Sequence, residues 1–229
     1  AGIPQLSVGL TSATQGSYRR EQALLDISQG TRVSRSTYDP SEVPPVSLAP
    51  TVGGGGRVKG WDAILDRAET APQTIEPGLL AGSIPGGAAY VGNATRFQET
   101  VIPATNRVGR VSALAPAGSG DAVHRAISQS RKYRLVVVAA SPGREGLREL
   151  RRILQLRRPG QLVIATQTPP LAPIRPLLPI AAAGLGENPG DPIETEGKGL
   201  RSDTTNLPNL VAGIDIAPTA QDREILTRW

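Results

Sequence analysis

Cysteine is absent from this chain of 229 residues, and histidine occurs once, at His124. Without cysteine the chain has neither disulfide bonds nor thiolate metal ligands. A single histidine also excludes metal sites that need several histidine ligands around paired divalent ions. A Ser-His-Asp arrangement remains arithmetically possible, because it needs only one histidine.

Aromatic side chains and long apolar runs are also scarce. Phe, Tyr and Trp together make up 3% of the chain, so we expect a core built from Leu, Ile, Val and Ala. No run reaches the ~18 apolar residues that would predict a membrane-spanning helix. Glycine and proline are abundant, at 26 and 21 residues without a fixed period. This composition predicts many turns and long irregular connections.

The net charge of +5 comes with a local concentration of arginine. Two interpretations are open: an attractive surface for phosphate, nucleic acid or anionic lipid, or a solvated helix face with no binding role. No aromatic residues interleave with the arginines, so a stacking platform for single strands is not supported and nucleic acid is not an expected partner. The arginines concerned are Arg144, Arg148, Arg151, Arg152, Arg157 and Arg158.

Hydrophobic periodicity predicts alternating strands and helices along one α/β domain over residues 1–229. We expect a mostly parallel sheet sandwiched by helices, with a right-handed βαβ unit over 133–166 whose two strands are buried on both faces. Flexible Gly/Pro-rich loops are expected near 39–57 and 184–200. The predicted strands are 5–10, 86–92, 108–114, 135–140, 161–166 and 177–183, and the predicted helices are 18–29, 59–71, 79–84, 120–129 and 144–157.

The segment 199–219 carries a Ser/Thr-rich turn, Ser202-Asp203-Thr204-Thr205, followed by Asp215-Ile216-Ala217-Pro218-Thr219. It resembles the closing strand-and-helix module of the alkaline-phosphatase superfamily, metalloenzymes that hydrolyse phosphate and sulfate esters. The resemblance implies an alkaline-phosphatase-like fold. It also implies metal-binding residues directly after several strands of the sheet.

At those strand ends this chain has other residues. The superfamily's metal ligands, an Asp at two strand ends and an Asp-His pair at a third, correspond here to Thr11, Ser141 and the pair Gln167-Thr168, none of which is a good ligand for a divalent ion. We therefore expect no metal, no cofactor and no esterase activity. The resemblance then implies a degenerate, non-catalytic member, similar to the extracytoplasmic domain of an actinobacterial membrane protein.

On this hypothesis the chain is a binding or structural module of the cell envelope. Its expected partners are other envelope or membrane proteins. The pair Arg228-Trp229 is of a kind found just before membrane spans, which favours a membrane tether in the full-length protein.

A metal-independent hydrolase is the alternative hypothesis. Open α/β sheets bind ligands at the carboxyl ends of their strands. A hydroxyl nucleophile there would need His124 or a lysine as base. The candidate hydroxyls are those of Thr11, Ser12, Ser17, Ser141 and Thr168.

Overall fold

The computed structural model describes residues 7–12, 19–31, 33–92, 98–117, 121–158, 161–166 and 177–183. Within them the chain is a mixed α/β protein. The helices are α1 (Arg20–Gln29), α2 (Trp61–Glu69), α3 (Leu79–Gly82), α4 (Ala122–Gln129) and α5 (Arg144–Leu156), with 3-10 helices at Arg35–Thr37 and Gln98–Ala104. The strands are β1 (Ser7–Ser12), β2 (Ser47–Pro50), β3 (Gly56–Lys59), β4 (Ala88–Gly92), β5 (Arg110–Val111), β6 (Ala113–Pro116), β7 (Leu135–Val138), β8 (Val163–Thr166) and β9 (Leu177–Ala183).

A parallel sheet of order β6-β4-β7 lies at the centre of the largest core. Ala88 and Tyr90 of β4 face a cluster that includes Val101 and Ile102 of the second 3-10 helix, together with α1. Because side chains alternate along a strand, Val91 points to the other face, where residues of α4 cover it. Helices therefore cover both faces, which confirms the predicted sandwich for this sheet.

The remaining strands form two antiparallel sheets, β2-β3-β5 and β1-β9-β8. Among the ladders of the described residues, two are parallel and four are antiparallel. The prediction of a mostly parallel sheet is therefore wrong for these strands, although the α/β class holds.

The predicted βαβ unit over 133–166 is also wrong. Its first strand, β7, belongs to the parallel sheet, whereas β8 pairs antiparallel with β9. Neither strand is buried on both faces: β7 is half-buried throughout, and Ile164 of β8 is 59% exposed. A short apolar run predicts a strand, but its sequence does not say which neighbour it will join.

The predicted loop over 39–57 contains a β-hairpin instead. Strands β2 and β3 pair antiparallel; Gly53, Gly54 and Gly55 lie in the connection between them, and Gly56 begins β3. Gly53 and Gly54 have φ of 97° and 85°, a conformation that favours glycine. The second predicted loop, 184–200, and the segment 199–219 lie outside the described residues.

The predicted strand over 108–114 is divided between two sheets. Residues 110–111 form β5, which pairs with β3, and residues 113–116 form β6, which pairs with β4. Several element ends agree better with the sequence. α1 ends at Gly30, which has a φ of 68° and is the predicted stop residue. β9 has the predicted bounds.

Candidate functional site

The predicted strand-end candidates fall into two sheets. Thr11 and Ser12 close β1, and the antiparallel strand β9 separates β1 from β8. The ends of β1 and β8 therefore lie at the same edge of that sheet. Ser141 follows β7 of the parallel sheet. Ser17 and Thr168 lie outside the described residues, so the described part of the chain does not bring the five candidates together.

Ser141 is held by a buried carboxylate on the helix that follows it. Its backbone N–H donates to Glu149 Oε2 at 2.8 Å, and its hydroxyl donates to Glu149 Oε1 at 3.0 Å. Glu149 is only 6% exposed. Gly146, one turn earlier on α5, allows this approach, because a Cβ there would lie 2.0 Å from the Ser141 carbonyl oxygen. We call this pair the Ser141–Glu149 clamp.

The clamp joins a loop to a helix, and it satisfies a carboxylate that burial would otherwise penalise. The sequence reasoning placed Ser141 at a strand end but missed Glu149. One signal was available: Glu149 lies on the buried side of α5 with Gly146 and Leu154, where an acid is unexpected unless it has a partner.

His124 does not take part in this arrangement. It is exposed on α4, whose buried side carries Ala122 and Ala126. Within the described residues, no hydrogen bond joins His124 to a serine, and the Ser141 hydroxyl is already bonded to Glu149. The same residues contain no group of three or more His, Asp or Glu side chains that could hold a metal ion.

A buried polar network around Arg67 was not predicted from the sequence. Arg67 is 3% exposed. Its Nε donates to the Pro40 carbonyl at 2.9 Å, and its terminal nitrogen donates to the Ser41 carbonyl at 2.9 Å and to Gln22 Oε1 at 3.0 Å. One side chain of α2 thereby fixes the segment after Tyr38 against α1.

Burial also perturbs the titration of this network. The guanidinium of Arg67 lies over the ring of Tyr38, 3.7 Å from its centre. Burial raises the pKa of Tyr38 above its usual value, although the hydrogen bond from Gln29 opposes the shift. Burial lowers the pKa of Arg67, and attraction to Tyr38 and Asp26 opposes that change. The network is a structural support, because each of these groups faces the protein interior.

The network backs one wall of a cleft of about 320 Å³. The other walls are the first turn of α1 and the second 3-10 helix, and the supported wall is the extended segment 41–46. Arg35 pairs with Glu42 at 2.6 Å across the rim. Arg19 also lines the cleft, and its buried Nε has no hydrogen-bond partner among the described residues.

No protein-family model, curated protein or solved structure matches this chain. Within the described ranges, none of the helices combines the length and the apolar character needed to cross a membrane.

Proposed function

We propose that this chain is a non-catalytic domain of a bacterial envelope protein and a degenerate relative of the alkaline-phosphatase superfamily. It acts outside the cytoplasm as a binding or structural module, and the full-length protein is tethered to the membrane. The resemblance of residues 199–219 supports the family. A parallel sheet with helices on both faces is compatible with it.

The observation that carries the proposal is the Ser141–Glu149 clamp. Where the superfamily is expected to have a metal-binding Asp, this chain has a serine whose N–H and O–H groups are both bonded to a carboxylate of α5. The carboxylate in this place accepts hydrogen bonds from two donors of the protein itself. A group used in this way supports the loop and is not offered to an ion.

We place the proposed binding role in the cleft beside α1. Its volume of about 320 Å³ falls at the lower end of the range for sites that accept small molecules. Its charges are mixed, because the lining contains Arg19 and Arg35 together with Glu21, Glu42 and Glu99. A polar ligand or a short peptide of an envelope partner suits this lining better than an apolar molecule does.

The test combines metal content, stability and turnover. The chelator-treated protein is analysed for bound metal, melted with and without zinc, magnesium and manganese, and assayed on aryl phosphate and aryl sulfate esters. We expect no stoichiometric metal, no ion-dependent rise in melting temperature and no turnover. Stoichiometric zinc or manganese accompanied by turnover would overturn the proposal.

A second candidate is a metal-independent hydrolase, favoured by the 3.0 Å contact between the Ser141 hydroxyl and Glu149. A nucleophile and its base are found at this separation. The test is hydrolysis of activated carboxylic esters, with Ser141→Ala as the loss-of-nucleophile variant. Activity that disappears in Ser141→Ala would establish this candidate, and equal background rates in both proteins would dismiss it. Thr11→Ala is the matched control, since it removes another candidate hydroxyl.

A further inference from the structure

The positive charge of this protein is concentrated in one region. Residues 121–158 carry ten Lys and Arg against three Asp and Glu, whereas the whole chain has 25 and 20. The rest of the chain therefore has 15 basic and 17 acidic residues and is slightly negative. A charge imbalance of this kind within one chain indicates a surface for an anionic partner.

The cations of this region are also open to solvent. Nine of the ten are exposed, and Arg157 is half-buried. The three acids do little to neutralise them: Glu149 is buried in the clamp, Asp121 makes only a long pair of 3.9 Å with Arg125, and the exposed Glu145 forms no ion pair among the described residues. The exposed cations are Arg125, Arg131, Lys132, Arg134, Arg144, Arg148, Arg151, Arg152 and Arg158.

Helix α5 arranges four of these cations on one side, which we call the arginine face: Arg144, Arg148, Arg151 and Arg152. The period of 3.6 residues puts this face opposite the buried Gly146, Glu149 and Leu154. No acidic side chain forms an ion pair with these four arginines among the described residues; Arg152 donates to Gln155 at 3.3 Å.

The basic surface continues past the end of α5. The guanidinium of Arg158 donates to the carbonyl of Ser130 at 3.1 Å, which joins the end of α5 to the end of α4. Arg131 and Lys132 follow Ser130 directly and are exposed. The two helix ends therefore present cations side by side.

This arrangement costs the helix stability. Arginines four residues apart, such as Arg144 and Arg148 or Arg148 and Arg152, lie about 5–6 Å apart at Cβ and repel each other. An exposed face that served only solubility would gain from acids at these positions. An anionic surface that contacts all four arginines would instead relieve the repulsion.

Two leucines and the exposed Glu145 border the arginine face. Leu147 is 37% exposed on one side, and Leu156 is 40% exposed on the other. α5 itself carries no aromatic residue on which a nucleic-acid base could stack. Cations flanked by partly exposed leucines match the interface of a bilayer, where phosphates lie beside the first methylene groups.

We propose that the arginine face docks this domain on an anionic phospholipid membrane. Lipid phosphates accept hydrogen bonds from the guanidinium groups, and the bordering leucines enter the headgroup region. This inference rests on the proposed envelope location, because docking requires that a membrane lie close to the domain. It does not depend on the superfamily relationship or on the absence of catalysis.

The experiment is cosedimentation of the whole chain with vesicles at about 0.1 M salt. One set is phosphatidylcholine alone, and the other contains about a quarter phosphatidylglycerol. The test variant is Arg148→Gln/Arg151→Gln/Arg152→Gln. The matched control is Arg57→Gln/Lys59→Gln/Arg110→Gln, which removes three exposed cations from β3 and β5.

We expect binding to the anionic vesicles only, weakened by salt. The test variant should partition about 100-fold more weakly, from the loss of three basic residues near the surface, while the control retains most binding. Equal loss in both variants would overturn the proposal, because net charge alone would explain it. Retained binding in the test variant, or tighter binding to duplex DNA than to vesicles at the same salt, would also overturn it.

The outcomes separate this inference from the proposed function. Vesicle binding does not require the cleft or the clamp, and metal analysis does not involve the arginine face. A protein that binds metal and turns over esters could still dock on vesicles. A metal-free, inactive protein could fail to dock.

Discussion

The described parts of residues 19–117 and residues 121–158 use their charges in different ways. In the first region several cations are paired or enclosed: Arg35 lies 2.6 Å from Glu42, and Arg67 is buried with its donors on backbone and amide oxygens, whereas Arg57, Lys59 and Arg110 on β3 and β5 are exposed. The paired and enclosed charges hold segments of the protein together, and the cleft wall depends on them.

In residues 121–158 nine of the ten cations are exposed, and the one buried acid, Glu149, holds the loop at Ser141. The ion pair found there, Arg125 with Asp121, is long at 3.9 Å, and both side chains are well exposed. Such pairs contribute little to stability. Some charges of the first region therefore support the fold, whereas most cations of the second region have no acidic partner among the described residues.

The largest expected effect comes from removing Arg67, the buried cation of the first region. Arg67→Met should lower the free energy of unfolding by about 3–5 kcal/mol, because it leaves the buried Gln22 oxygen without its donor and removes the positive charge that attracts the buried Asp26. Urea denaturation measures the change. The matched control is Arg148→Met on the arginine face, where the free energy of unfolding should change by less than about 0.5 kcal/mol in either direction. Equal losses of unfolding free energy in both variants would contradict the different structural roles of the two cations.

The clamp provides the next effect in size. Glu149→Ala should cost about 1–3 kcal/mol, because the Ser141 amide loses its acceptor. Glu149→Gln should cost less, since its amide oxygen can accept from the Ser141 N–H while its nitrogen donates to the hydroxyl. Urea denaturation ranks the variants, and hydrogen exchange reports the Ser141 amide. A greater cost for Glu149→Gln than for Glu149→Ala would contradict the clamp.

A smaller effect concerns Tyr38. Tyr38→Phe removes the acceptor of a buried Gln29 hydrogen bond and should cost about 1 kcal/mol near neutral pH.

The pH dependence of that effect follows from burial. Because the folded pKa of Tyr38 is raised above 10.0, its stabilising contribution is present below the unfolded pKa and is lost as pH rises through the folded value. The unfolding midpoint of the wild type should therefore fall above pH ~10, and less steeply in Tyr38→Phe. Tyr90, whose pKa burial also raises, remains in both proteins. Parallel profiles for the two proteins would contradict this assignment.

The smallest effect has the opposite sign. Arg148→Gln/Arg151→Gln/Arg152→Gln should raise the melting temperature slightly at low salt, by a few tenths of a kcal/mol per repulsive pair relieved. The gain should shrink at about 1 M salt, where charges are screened. Scanning calorimetry at both salt concentrations measures it. A loss of stability at low salt would mean that the arginine face has internal partners.

Local elements were predictable because their patterns repeat within a few residues. The period of apolar residues in α5 predicts a helix over 144–157, and in the structure the helix spans Arg144–Leu156. The Gln161–Thr166 run gave a strand, but its pairing with β9 and the exposure of Ile164 were not predictable. The hairpin β2–β3 was missed because four consecutive glycines indicate a loop and a tight turn equally well.

The candidate site was predictable in part. A position after a strand directed attention to Ser141, but Glu149 comes eight residues later, on a helix whose arginines and leucines dominate the pattern. Arg67 looked like an ordinary helix cation. Its burial depends on Pro40, Ser41 and Gln22, which are distant in sequence.

The sequence by itself determined the α/β class, the positions of most helices and strands, and the charge imbalance of residues 121–158, because propensity, period and charge are local properties. The tertiary structure decided which strands pair, which charges are enclosed and which acid holds Ser141. Those outcomes depend on contacts between residues far apart in the chain, where burial and hydrogen-bond geometry select one partner among many.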